Sequence, residues 1–147
     1  MSSADNPVVV SVDQYLESNL ENVDSSEDRV VRLAGEIGFS EDDCYQLGYA
    51  VREALVNAIV HGNRYSANKR VHFKLSRTTG SIHVLIEDEG NGFLPAEQAD
   101  PLAQENLLSQ SGRGIMIIRA FVDEFVIEKT EGGGTRVAMK KSLPPGT

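Results

Sequence analysis

Apolar positions along this chain change period several times, and each change marks an element. Val30, Val31, Leu33, Ala34 and Ile37 recur at helical spacing, and Gly38 closes the run. The DSSED stretch from Asp24 ahead of them carries helix-start chemistry. Ser40 opens a second helix. SEDD supplies a cap and acidic first-turn residues that suit the helix dipole. This helix runs through EALVNAIVHGN and stops near Gly62. Strict alternation then takes over. Val71, Phe73 and Leu75, and after TTGS Ile82, Val84 and Ile86, predict a hairpin. VVVSVDQYLESNL, before the first helix, reads as one strand or two short ones.

A polar stretch, NGFLPAEQADPLAQENLLSQSG, predicts a long loop or lid. RGIMIIRAFVDEF predicts a helix beginning just after Gly112. FVIEKT and TRVAMKK predict a second hairpin around EGGG. Helices and antiparallel strands are segregated, so an α+β fold with helices on one face of a sheet is expected. With no repeat and no linker, residues 1–147 read as one domain.

Charge and cysteine usage narrow the function. The 147 residues carry a net charge of -8, which disfavours direct nucleic-acid binding through the phosphate backbone. A nucleotide remains compatible, because a local nest of amides and a magnesium ion can hold phosphates. Cys44 is the single cysteine, so an intrachain disulfide and a cysteine-rich metal site are excluded. The first residues show no secretory pattern, and no apolar run has membrane-spanning length. A cytoplasmic protein without a membrane partner is expected.

Four segments carry candidate chemistry. In a helix, Glu53, Asn57 and His61 stand at i, i+4 and i+8, on one stripe flanked by apolar residues. Such a stripe is either the polar edge of a half-buried helix, with Glu53 meeting Arg52 or a solvent cation, or the rim of a wet pocket. In a pocket, a carboxylate serves as general base and an amide oxygen one turn on ligates magnesium. IEDEGNGF ends a strand in Asp88, with Gly90 and Gly92 following. This is either a simple turn or a carboxylate that accepts from a base amine beside a backbone able to approach a flat ligand. SGRGIMII places Gly112, Arg113 and Gly114 at a helix start, where free amides favour an anion. GGGTRVAMKK puts Thr135 at a strand start. Neither a Rossmann nor a P-loop signature is present.

The order of these segments resembles the GHKL family, the ATP-binding fold shared by gyrase, histidine kinases and MutL. EALVNAIVHGN resembles its N box, DEGNG and GRG its two glycine boxes, and GGGT its last motif. The stand-alone form, with SEDD leading into the N-box helix and with GRGIMIIRAFVDEF, is similar to the anti-sigma factor serine/threonine kinases of SpoIIAB and RsbW type. The resemblance implies a Bergerat-type sandwich with a mixed, mostly antiparallel sheet. It implies ATP and Mg2+ as cofactors. Glu53 would be the catalytic base and Asn57 the magnesium ligand. Asp88 would read adenine, with Gly90 and Gly92 shaping the base pocket. Gly112 and Gly114 would offer amides to phosphates beside Arg113, and Thr135 would sit near adenine.

The lid has no lysine or arginine between Leu94 and Ser111, so either Arg113 supplies the cation to the phosphates or magnesium carries more of the load. The implied function is phosphorylation of a serine or threonine on an anti-anti-sigma protein of STAS type, together with sequestration of a sigma factor. The alternative is a non-catalytic nucleotide-binding or partner-sequestering module. Homodimers are common in the family, and the apolar positions of the first helix and strand offer a surface for one.

Overall fold

Ser40 caps its helix as its position predicts. Its hydroxyl accepts from the Asp43 amide at 3.1 Å, and three carboxylates occupy the first turn. In a computed structural model, which describes residues 7–90 and 114–145, the elements run β1 (Val9–Glu17), α1 (Glu21–Ile37) and α2 (Glu41–Val56). A π-helical turn (Asn57–Gly62) extends α2. Then come β2 (Arg70–Arg77), β3 (Ser81–Glu87), α3 (Gly114–Phe121), β4 (Glu124–Lys129) and β5 (Thr135–Ser142).

The strands form one sheet in the order β1-β2-β3-β5-β4, antiparallel at every described pairing. Of the expected mixed sheet, the described residues therefore contain only the antiparallel part. Both hairpins are present: β2 pairs β3, and β4 pairs β5. The polar lid expected at 94–111, together with Gly92, Gly112 and Arg113, lies outside the described residues.

Period 2 puts Val71, Phe73 and Leu75 of β2, Ile82, Val84 and Ile86 of β3, and Val137 and Met139 of β5 on one face, all buried. The helices supply Val30, Leu33, Leu47, Val51, Leu55, Ile59, Ile115 and Ile118 to the same core. Gly48 lets α1 and α2 close up: a Cβ there would lie 2.7 Å from Val31 Cγ2.

Two helix boundaries differ from the sequence expectation. α1 begins at Glu21, ahead of DSSED, and Leu20 provides no side-chain cap. Those residues serve packing and charge instead. Ser26 is buried, while Asp24 and Glu27 receive Arg52 at 2.7 and 2.9 Å. α3 stops at Phe121, short of the predicted length. The next residues are drawn to β5: Asp123 N–H donates to the Lys140 carbonyl, and the Asp123 carboxylate accepts from the Ser142 amide. No helix among the described residues is long and apolar enough to cross a membrane.

Candidate functional site

The helix-facing row of β3, Ile82, Val84 and Ile86, continues one step past the strand to Asp88. Asp88 is therefore a carboxylate at the end of a core row, only 6% exposed. Thr135 holds it twice: the Asp88 amide donates to the Thr135 carbonyl at 2.9 Å, and the Thr135 amide donates to Asp88 Oδ1 at 3.1 Å. Burial pushes the carboxyl up to about 7. The amides of Thr135 and Gly90 and the Lys69 charge oppose the rise, and Glu87 adds to it.

Three glycines close on this residue. A Cβ on Gly62, at the end of the π-helical turn, would lie 2.4 Å from the Asp88 carboxyl carbon. One on Gly134 would lie 1.9 Å from the Asp88 carbonyl oxygen. Gly90 has φ +69°, and a Cβ there would meet the Gly133 carbonyl at 2.4 Å. The first contact is with a carboxylate held in place by Thr135 and the second with backbone, so neither neighbour can give way. Gly134→Ala and Gly62→Ala are each expected to cost about 2–3 kcal/mol of stability through overpacking. Urea denaturation of both variants checks this; wild-type stability in either would contradict the packing described.

Glu53 and Asn57 stand upstream on the same continuous helix, both half-buried. Arg52 turns to Asp24 and Glu27 on α1. The pairing of Glu53 with Arg52, open from sequence, is therefore not formed. Among the described residues neither Glu53 nor Asn57 has a side-chain hydrogen-bond partner.

At Asn57 the winding of the helix changes. From there the backbone takes wider bonds, with Asn63 N–H donating to the Ala58 carbonyl at 2.8 Å, and each residue turns less than in an α-helix. His61 is exposed, while Glu53 and Asn57 are half-buried. The same widening brings Gly62 against Asp88, where an α-helix of equal length would point it elsewhere. Gly114 is buried at the start of α3, and Thr135 is half-buried at the start of β5.

Sequence reasoning found no role for Asn63, which is 0% exposed. Its side chain spans from β1 to the loop after β3. It also assigned nothing to Gly62 or Gly134. The available signal was a glycine and an asparagine directly after an apolar helix.

An open cavity of about 540 Å³ lies at the same end of the sheet, lined by Glu87, Asp88, Glu89, Glu128, Glu131 and Arg136 among others. Glu87, Glu128 and Arg136 belong to the face away from the helices. Its carboxylate-rich lining repels phosphate, and it contains neither Glu53 nor Asn57.

A magnesium ion fits this donor set in one manner. Among the described residues no group of three or more His, Cys, Asp or Glu side chains could hold a metal. The ion would therefore take one amide oxygen from Asn57 and its other ligands from phosphate and water, which suits magnesium.

Comparisons with known proteins give the family and the fold. Residues 16–141 match the family described as the histidine kinase-like ATPase domain. The chain is 32% identical over 116 residues to a protein of Geobacillus sp. (strain WCH70) named anti-sigma F factor, covering 78% of this chain and 80% of that one. It is 36% identical over 96 residues to an anti-sigma F factor of Clostridium novyi (strain NT), covering 64% of this chain and 67% of that one. In fold it is similar to the histidine kinase domain of the Erythrobacter litoralis blue-light activated histidine kinase. That match has a TM-score of 0.53 at 20% identity, covering 82% of this chain and 61% of the other.

Proposed function

Because this chain belongs to the histidine kinase-like ATPase family, we propose that it is an ATP-binding anti-sigma regulatory factor. In this reading it transfers a phosphoryl group to a serine or threonine of a STAS-type antagonist and sequesters a sigma factor. The observation that carries the proposal is the helix from Glu53 to Gly62. Its carboxylate and amide have no side-chain partner among the described residues, and it ends against the buried, glycine-framed Asp88. The names of the Geobacillus and Clostridium relatives supply the regulatory class.

In this reading Asp88 accepts from the adenine amine, and Gly90 and Gly92 let the backbone pass beside the base. Thr135 fixes the carboxylate through its amide. Gly112 and Gly114 offer amides to the phosphates, with Arg113 as the cation, in the roles that the sequence resemblance implies. Asn57 would hold magnesium through its amide oxygen, and the ion would supply charge neutralisation on the phosphate. Glu53 takes the proton of the acceptor hydroxyl. That oxygen then bonds the γ-phosphorus, the bond from γ-phosphorus to the β,γ-bridging oxygen breaks, and ADP leaves. The chain mainly orients an in-line displacement.

The whole of 1–147 acting as one unit in the cytoplasm belongs to the same proposal. So does a homodimer, for which the edge strand leaves Val9 and Val10 exposed beside Val8.

The test is incubation with Mg-ATP and a candidate STAS protein, read by intact mass. The expected result is a gain of one phosphoryl group on the STAS protein. Bound ATP with an unchanged partner mass would instead leave a non-catalytic, partner-sequestering module.

A further inference from the structure

Asn63 is buried completely, and all four hydrogen-bonding positions of its side chain are used. Its Nδ2 donates to Ser18 Oγ and to the Arg70 carbonyl, each at 3.0 Å. Its Oδ1 accepts the amides of Glu89 at 2.9 Å and Gly90 at 3.1 Å. The orientation of the amide group is forced. Ser18 spends its own proton on the Lys69 carbonyl at 2.6 Å, so its oxygen must accept, and two backbone amides require an oxygen opposite them. One residue thus joins the end of the helix, the segment after β1, the start of β2 and the two residues that follow Asp88. Two further bonds run across the same junction: Lys69 Nζ donates to the Gly90 carbonyl, and the Arg70 amide donates to the Glu89 carboxylate.

We infer that Asn63 is the positioning residue of the base pocket. It sets the path of the chain through Glu89 and Gly90 and thereby the aim of the Asp88 carboxylate, which gives adenine its preference over guanine. The inference rests on the proposed contact between Asp88 and the adenine amine. A carboxylate aimed at an amine rejects the carbonyl that guanine carries at the same place, and the rejection depends on the carboxylate being unable to swing aside. Gly62 and Thr135 hold it from two sides. Asn63 holds the chain on the third, where glycine would otherwise leave the path loosely defined.

Titration calorimetry with Mg-ATP and Mg-GTP on the full chain tests this, because the ratio of the two affinities is independent of the folded fraction. Asn63→Ala is expected to lower the ATP-over-GTP ratio about tenfold or more. Ser18→Ala, which removes a partner of Nδ2 and keeps both acceptor contacts, is expected to hold the ratio. If Asn63→Ala does not fold, Asn63→Ser reads the same ratio, since its shorter side chain cannot reach both amides. Asp88→Asn gives the reference for a lost reader. An unchanged ratio in the Asn63 variant beside a collapsed ratio in Asp88→Asn overturns the positioning role. A ratio unchanged in Asp88→Asn as well overturns the adenine contact itself.

Discussion

Glu53→Gln is expected to lower phosphoryl transfer by about a hundredfold to ten-thousandfold, the range set by loss of a general base. Nucleotide affinity should change by no more than about threefold, since the proposed role touches the acceptor hydroxyl and leaves the ATP contacts alone. The substitution suits the site. Glutamine keeps the length and the helix preference of glutamate, and Glu53 is free of Arg52, which is bound to α1. Among the described residues no ion pair is broken, and the variant should unfold at nearly the wild-type temperature. The measurement is single-turnover phosphorylation of the STAS partner beside a calorimetric ATP titration. Transfer at the wild-type rate would remove Glu53 from the chemistry and favour a pure binding module.

Asp88→Asn should cut ATP affinity about tenfold to a hundredfold, the worth of a charged hydrogen bond, while making the free protein more stable above neutral pH. The sign follows from linkage. The folded carboxyl titrates at about 7 and the unfolded one at 3.8. Between these values the folded state binds the extra proton. The group's favourable contribution is therefore complete below the unfolded value and falls as pH rises through the folded one. A shift of this size corresponds to at most about 4 kcal/mol lost by about pH 8, and the neutral amide does not suffer it. We expect a gain of about 1–3 kcal/mol for the variant in urea denaturation at about pH 8, shrinking toward acid pH.

Wild-type ATP affinity should improve as the carboxyl ionises between about pH 6 and pH 8. The ionisation of ATP itself contributes in the same window, and the Asn variant isolates it. A variant less stable than wild type at the upper pH would mean that Asp88 is ionised without cost in its pocket. The opposed effects on binding and stability are those of a charge retained for a ligand in a place where folding alone would exclude it.

Much of the frame was legible from spacing. Alternation at Val71, Phe73, Leu75 and at Ile82, Val84, Ile86 fixed which side of the sheet would be covered, because a pleated strand has no other means of burying them. Ser40 and Gly38 marked helix ends through local bonds and a left-handed backbone that need no distant partner. Glu53 and Asn57 were readable as a pair because α-helical geometry holds across them.

The π-helical turn that begins at Asn57 was not legible, because widened winding has no residue signature of its own. DSSED misled because capping residues in a helix interior look the same in a string. Their use as packing and as partners for Arg52 depends on α2 lying alongside. Asn63 was opaque for the same reason. A buried amide reports nothing until Ser18, Arg70, Glu89 and Gly90 arrive around it from separate parts of the chain.

Sequence alone determined the elements, the buried face and the ordered series of candidate residues, since each depends on neighbours within one or two turns or one strand. Tertiary structure alone decided that Gly62, Gly134 and Thr135 converge on Asp88 and that Asn63 ties the loop behind it. Desolvation, close approach and the satisfaction of buried polar groups arise only when distant segments exclude water together.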